Sequence, residues 1–256
     1  MIPQIINIGP FPINSFGLTI ALAIIICILC LQRSFEVNSI DPKLAEKYVF
    51  AGGIIGLIGA RIWYVFVEDF EALRANLFEA LLSSAGFTFY GGFIIAAITL
   101  LVMSRIDRLP LSKFVDSFGP TLALGYAVGR LGCQLSGDGD YGIATDSIWG
   151  MSFAQGVIPT PPGVLVFPTP LYESLLSGLM MLWLIRIETK GYWQVPYARF
   201  GAYLVLLGVE RFTVEIIRVN PDVAGALSQA QIVAITLIVI GAILLLRRCV
   251  VREKVK

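Results

Sequence analysis

The chain of 256 residues is 57% hydrophobic and only 14% charged, with a net charge of +1 and a mean hydropathy of +0.80, whereas soluble domains carry roughly 25% charged residues. A soluble globular enzyme is excluded, and so is a nucleic-acid binder, because the positive charges form no basic face interleaved with aromatics. The sequence holds no histidine, so proton transfer falls to Asp, Glu, Tyr, Cys or Lys.

A transmembrane helix needs about 20 mainly apolar residues. Seven segments qualify in chain order: 16–32, 48–67, 88–104, 114–133, 171–187, 200–217 and 229–246. The sixth is the most polar, with Glu210, Arg211 and Glu215. The N-terminus lacks the basic region of a cleaved signal peptide, so the first segment is expected to stay in the protein. Cys27, Cys30, Cys133 and Cys249 are scattered and read as small core residues rather than a disulfide framework or a metal site. Fourteen of the nineteen Lys and Arg fall in alternate connections, after the first, third, fifth and seventh segments. Such residues concentrate in cytoplasmic loops. The expected fold is therefore an all-α integral membrane protein, a single-domain bundle of about seven transmembrane helices, with its N-terminus outside and its C-terminus cytoplasmic.

Three arginines lie in or at the edge of these segments: Arg61, Arg130 and Arg211. Each costs roughly 2.5–3.5 kcal/mol near a helix centre, so each needs a partner or a wet cavity. In the expected topology all three fall in the outer half of the membrane, where Glu173 joins them at the start of the fifth segment. One reading pairs the arginines with Glu173, Glu210 and Glu215 as structural ties. The other makes Arg130 and Arg211 a clamp for an anionic lipid headgroup, since guanidinium meets phosphate as a two-pronged donor.

After Arg130 the chain reads "GCQLSGDGDYG", a compact glycine-rich loop that places Asp138 and Asp140 as acceptors. They are positioned to orient Arg130, bind headgroup hydroxyls or take a proton. The spacing of a calcium loop is incomplete. "FTFYGG" opens the third segment; Gly91 and Gly92 let another helix or a substrate approach the backbone, and Tyr90 sits at the depth of an aromatic belt. The glycines of "AGGIIGLIGAR" read as a helix-packing face. Glu173 in "FPTPLYE" also suits a helix first turn.

At these residues the sequence resembles the bacterial prolipoprotein diacylglyceryl transferases. Gly129, Arg130, Gly132, the Asp138/Asp140 pair and Gly142 match that family's Gly-Arg-x-Gly signature. "SFGL", "GARIWYV", "FYGG", "PLYE" and "RFTVEIIRVNPD" match further family stretches in the same order. The resemblance implies transfer of a diacylglyceryl group from phosphatidylglycerol to the lipobox cysteine of a prolipoprotein signal peptide, without cofactor or metal, in the bacterial cytoplasmic (inner) membrane with the active site towards the outer face. It implies catalytic roles for Tyr90, Arg130, Arg211, Asp138 and Asp140. It implies substrate contacts for Phe16, Arg61, Gly91, Gly92, Cys133, Gly142, Glu173 and Glu215 as well as the two arginines.

The sequence departs from the family at three positions. Tyr90 stands for its histidine, Phe16 for a tyrosine, and Cys133 for the asparagine after Gly-Arg-x-Gly. The proton acceptor is therefore open between Tyr90, an aspartate and a thiol that ionises beside guanidinium. Two other functions also fit the residues, a homologue that binds lipid without turnover and a small-anion transporter. The topology has a direct check: a cysteine placed at Asp146 is expected to react with a membrane-impermeant maleimide in intact cells, and one at Lys190 only after permeabilisation.

Overall fold

A computed structural model of the chain describes residues 1–8, 11–70, 74, 88–193, 195–219, 222–224 and 227–253. Each of the seven apolar segments coincides with a helix. These are α1 (Ser15–Val37), α2 (Leu44–Trp63, continued by a π-helical turn over Tyr64–Glu68), α3 (Phe89–Ile106), α4 (Leu111–Ser136), α5 (Thr169–Thr189), α6 (Ala198–Glu215) and α7 (Gln229–Glu253). Four are long and apolar enough to cross a membrane: Ser15–Val37, Leu44–Val67, Thr169–Thr189 and Gln229–Leu246. The apolar part of α3, Gly91–Ile106, is shorter. Helices α4 and α6 are not among the four; they carry Arg130 and Gln134, and Glu210, Arg211 and Glu215, respectively.

The all-helical expectation holds, and two short antiparallel hairpins accompany the helices among the described residues. In the first, β1 (Gln4–Ile8) pairs with β2 (Phe11–Asn14); in the second, β3 (Asp222–Ala224) pairs with β4 (Leu227–Ser228). Strands of two to five residues leave too few alternating positions to register in a hydrophobic pattern. The first hairpin is tied to the bundle where α4 ends, through Ile2 N–H donating to Leu135 C=O at 3.0 Å.

Apolar and polar residues are distributed in the opposite sense to a soluble protein. Leu18, Leu22, Ile25 and Leu29 form an exposed stripe on α1, and Leu175, Leu179 and Leu182 do the same on α5. Meanwhile Arg61, Asp116, Glu173, Glu188, Arg199, Glu210 and Glu215 are buried. Apolar flanks are stable against lipid, and charges are tolerable inside a bundle when they find partners there.

The two ends of the bundle hold separate polar clusters. At one end Glu188 accepts from Ser34 Oγ at 2.9 Å, Asn38 Nδ2 at 3.0 Å and Arg199 at 3.1 Å. Beside it Asp116 accepts from the backbone N–H of Tyr197 and Phe200 at 2.9 and 2.8 Å, which satisfies two orphan donors at the start of α6. Phe35, Tyr48 and Phe114 fill the neighbouring core. At the opposite end lie the C-termini of α4 and α6 and the start of α5, with Arg130, Arg211 and Glu173.

Gly91 and Gly92 form a close contact with α2, one of the two roles that the sequence allows them. A Cβ on Gly92 would stand 2.5 Å from the Gly56 carbonyl and 2.9 Å from Ala60 Cβ, and one on Gly91 would collide with Trp63. Helix α2 already occupies the space that the glycines leave. Gly92→Val is therefore expected to destabilise the bundle by about 1–3 kcal/mol, read as a lowered thermal midpoint in detergent; an unchanged midpoint would rule out this α2–α3 contact.

Candidate active site

The site is built on helix periodicity. Tyr126 and Arg130 are one turn apart near the end of α4, so they share a face. Arg211 and Glu215 repeat that spacing at the end of α6, and Arg218 follows three residues later. Glu173 lies in the first turns of α5 and has no exposed surface.

Tyr126 and the three arginines meet at Glu173. Its Oε1 accepts from Arg211 at 2.7 Å and from the Tyr126 hydroxyl at 2.8 Å. Its Oε2 lies 3.1 Å from Arg130 Nε and 3.4 Å from Arg218. Two further carboxylates complete the cluster. Asp140 pairs with Arg130 and, at 2.8 Å, with Arg218. Glu215 lies 3.1 Å from Arg211 and 3.8 Å from Arg218, and accepts from Ser228 Oγ at 2.7 Å. Three guanidiniums thus face three carboxylates. The Arg130 guanidinium also lies over the Tyr126 ring, 5.0 Å from its centroid.

The loop after α4 closes this arrangement. Gly137 ends the helix in the left-handed region (φ 63°), a conformation suited to glycine. Gly142 then runs against the strand-like segment after α6: Ile143 N–H donates to Ile217 C=O at 2.9 Å, and Gly142 pairs with Arg218 as an isolated bridge. A Cβ on Gly142 would collide with the Ile217 carbonyl and stand 3.0 Å from Thr169 Cγ2. Glycine at this position therefore lets the loop carrying Asp140 lie beside the segment carrying Arg218. Thr169 Oγ1 fixes the loop from the α5 side by donating to Asp140 C=O at 2.6 Å.

The two aspartates are not equivalent. Asp140 carries the ion pairs, whereas Asp138 Oδ1 accepts from the Asp140 backbone N–H at 3.3 Å. Asp138 also lies beside Cys133; one ligand atom from each of Cys133, Asp138 and Asp140 falls within 4.8 Å of the others. Partial burial alone would raise the Asp140 carboxyl, but Arg218 and Arg130 outweigh it and hold the group below the usual carboxylate range.

Other expected positions fall nearby or apart. Phe16, half exposed at the start of α1, lies against α4 where a Cβ on Gly132 would come 3.0 Å from its ring. Arg61 is buried at the end of α2 with its guanidinium 5.6 Å from the Tyr64 ring centroid, and the described ion pairs of Glu173 do not include it. Helix α2, which carries Arg61, packs chiefly on α3. Tyr90 begins α3, and its side chain lies outside the described residues.

Arg218 and Tyr126 were missed from the sequence. Arg218 follows the sixth apolar segment and lies beyond the end of α6, where its bridge to Gly142 brings it to the cluster. Tyr126 resembles many membrane-helix tyrosines until its one-turn spacing from Arg130 is considered.

Apolar flanks and four helices long and apolar enough to cross a membrane define the class, a helical membrane protein. The comparisons identify the family. The model of the prolipoprotein diacylglyceryl transferase family matches residues 3–247, and the chain belongs to that family. The phosphatidylglycerol–prolipoprotein diacylglyceryl transferase of Finegoldia magna is 31% identical over 90% of this chain and 88% of its own. That of Bacillus cytotoxicus is 29% identical over 96% and 93%, and that of Leptospira interrogans 26% over 91% and 88%.

The Glu173 hub makes two predictions. Glu173→Gln removes the buried carboxylate that three partly buried cations share and should cost about 3–5 kcal/mol of stability, measured as the thermal midpoint in detergent. The second concerns pH. Because the folded-state pKa of Asp140 is depressed, its stabilising contribution is present at neutral pH and is lost as pH falls below about 3.9, the unfolded value, towards the folded one. Amide exchange across the Asp140 loop should therefore accelerate in acid, and Asp140→Asn should abolish this pH dependence.

Proposed function

We propose that this chain transfers the diacylglyceryl group of phosphatidylglycerol to the thiol of a prolipoprotein's lipobox cysteine; its relatives are named for diacylglyceryl transfer between phosphatidylglycerol and prolipoprotein. The observation that carries this reading is the convergence of Arg130, Arg211 and Arg218 on one buried carboxylate at one end of the bundle. In the same proposal the seven helices all span the bacterial inner membrane as one domain, and the basic connections place the arginine end on the outer side.

In this mechanism the phosphodiester of phosphatidylglycerol sits on the guanidiniums. The cysteine sulfur attacks the glycerol carbon of the diacylglyceryl group, the carbon–oxygen bond to phosphate breaks, and a thioether forms as glycerol phosphate leaves. Charge grows on the departing phosphate, and donors already fixed there stabilise it without reorganising. Glu173, Glu215 and Asp140 are positioning residues that hold cations together which would otherwise repel one another. Asp140 is poorly suited as the base, because two guanidiniums keep it ionised to low pH. The thiol ionises beside the guanidiniums and its proton passes to water. An apolar groove of about 630 Å³ lies between α1 and α4, lined by Leu22, Val128, Leu131, Leu135 and Leu171 among others, and suits an acyl chain.

The test uses purified protein, phosphatidylglycerol and a lipobox peptide, with mass spectrometry of the modified cysteine. Arg130→Ala should abolish the product, and Arg218→Ala should lower the rate by about 10²–10³-fold; full activity of Arg130→Ala would overturn the assigned site. The substitution of the family's histidine by Tyr90 favours a second reading, a homologue that binds lipid without turnover. That reading predicts saturable phosphatidylglycerol binding and no peptide product.

A further inference from the structure

The loop between α4 and α5 ends in an apolar tip that no part of the proposed reaction uses. Ile148 is 92% exposed and Trp149 69%, and residues 134–170 include neither Lys nor Arg. A water-facing loop seldom presents two large apolar side chains in succession.

The path of the loop places this tip beside the bundle's flank. Val157 and Ile158 N–H donate to the carbonyls of Ser136 and Gly137 at 2.9 Å, which folds the loop back onto the last turn of α4. Met151 Sδ accepts from Gln134 Nε2 of α4 at 3.6 Å, and Met151 exchanges backbone hydrogen bonds with Val166. Met151 also lines the apolar groove with Leu22 of α1 and Leu131 and Leu135 of α4, all three exposed on the flank of the bundle. Trp149 and Ile148 precede Met151 by two and three residues, so the tip lies within about 10 Å of it at full extension. The tip therefore lies within reach of a groove shared with α1, a helix long and apolar enough to cross a membrane.

We propose that Ile148 and Trp149 insert into the interface of the surrounding lipid and hold the α4–α5 loop against the membrane surface. Trp suits that depth because its ring is apolar and its N–H finds water or headgroups. The exposed Asp146 limits insertion to headgroup level. The loop is then fixed on two sides, by lipid at its tip and by Asp140 on Arg130 and Arg218 at its root. The inference depends only on the helices lying in a bilayer, so it stands or falls independently of the transferase reading.

The test keeps Trp149 as sole tryptophan, through Trp63→Phe, Trp183→Phe and Trp193→Phe, in vesicles of phosphatidylcholine and phosphatidylglycerol. Trp149 emission is expected to be blue-shifted, shielded several-fold from acrylamide, and quenched better by a spin label near the lipid carbonyl than by one at the chain end. Because Trp63 packs on Gly91, a second protein retains all tryptophans. It carries a polarity-sensitive dye on Ile148→Cys with Cys249→Ser, and the dye should report the same depth. Emission typical of water with full acrylamide access overturns the proposal. So does shielding that appears only when a lipobox peptide is added, which would make the tip a peptide-docking face. In vesicles, joint Ile148→Ser and Trp149→Ser substitution should raise protease cleavage within residues 143–166 several-fold at an unchanged thermal midpoint; unchanged cleavage also overturns it.

Discussion

Three guanidiniums inside one bundle repel one another, and the structure tolerates them because a single buried carboxylate, that of Glu173, touches all three. The arrangement of α4, α5 and α6 follows from that constraint. Arg130 ends one helix, Glu173 begins the next, and Arg211 ends the third, so an up-down path brings all of them to one level. Removing any one charge would leave the others uncompensated in a medium that solvates them poorly.

The cluster is balanced, with three cations against Asp140, Glu173 and Glu215. This balance suits a site that must be stable without its lipid and still offer donors to a phosphate. Glu173 is fully buried, whereas the side chain of Asp140 is 34% exposed and belongs to a loop rather than a helix. In the proposed reaction Asp140 is therefore the carboxylate most readily exchanged for phosphate, and Glu173 remains in place as the fixed counter-charge. The glycine at 142 matters because it lets that loop run directly against the segment carrying Arg218.

Charge in an apolar segment was the most legible feature of the sequence. Arg130 and Arg211 stand out because a membrane helix has few reasons to retain them, and Glu173 stands out as their nearest acidic complement. Glycines were less informative. Gly91 and Gly92 read equally well as substrate floor or helix contact, and only the folded chain shows that α2 packs on them. Arg61 shows the same limit: it has the depth of the other arginines but belongs to a helix that packs elsewhere. The Asp138/Asp140 ambiguity could not be resolved by spacing, because two residues of loop are enough to turn one carboxylate towards the arginines and the other towards its own backbone.

The sequence by itself determined the class of solvent, the placement of seven helices and the residue types of the site, because hydrophobic runs and the cost of buried charge are local properties of the chain. Tertiary structure decided which charges share a partner. Arg218 joined the cluster, Arg61 was left outside it, and Tyr126 came beneath Arg130, because such contacts depend on the rotation and packing of helices far apart in sequence.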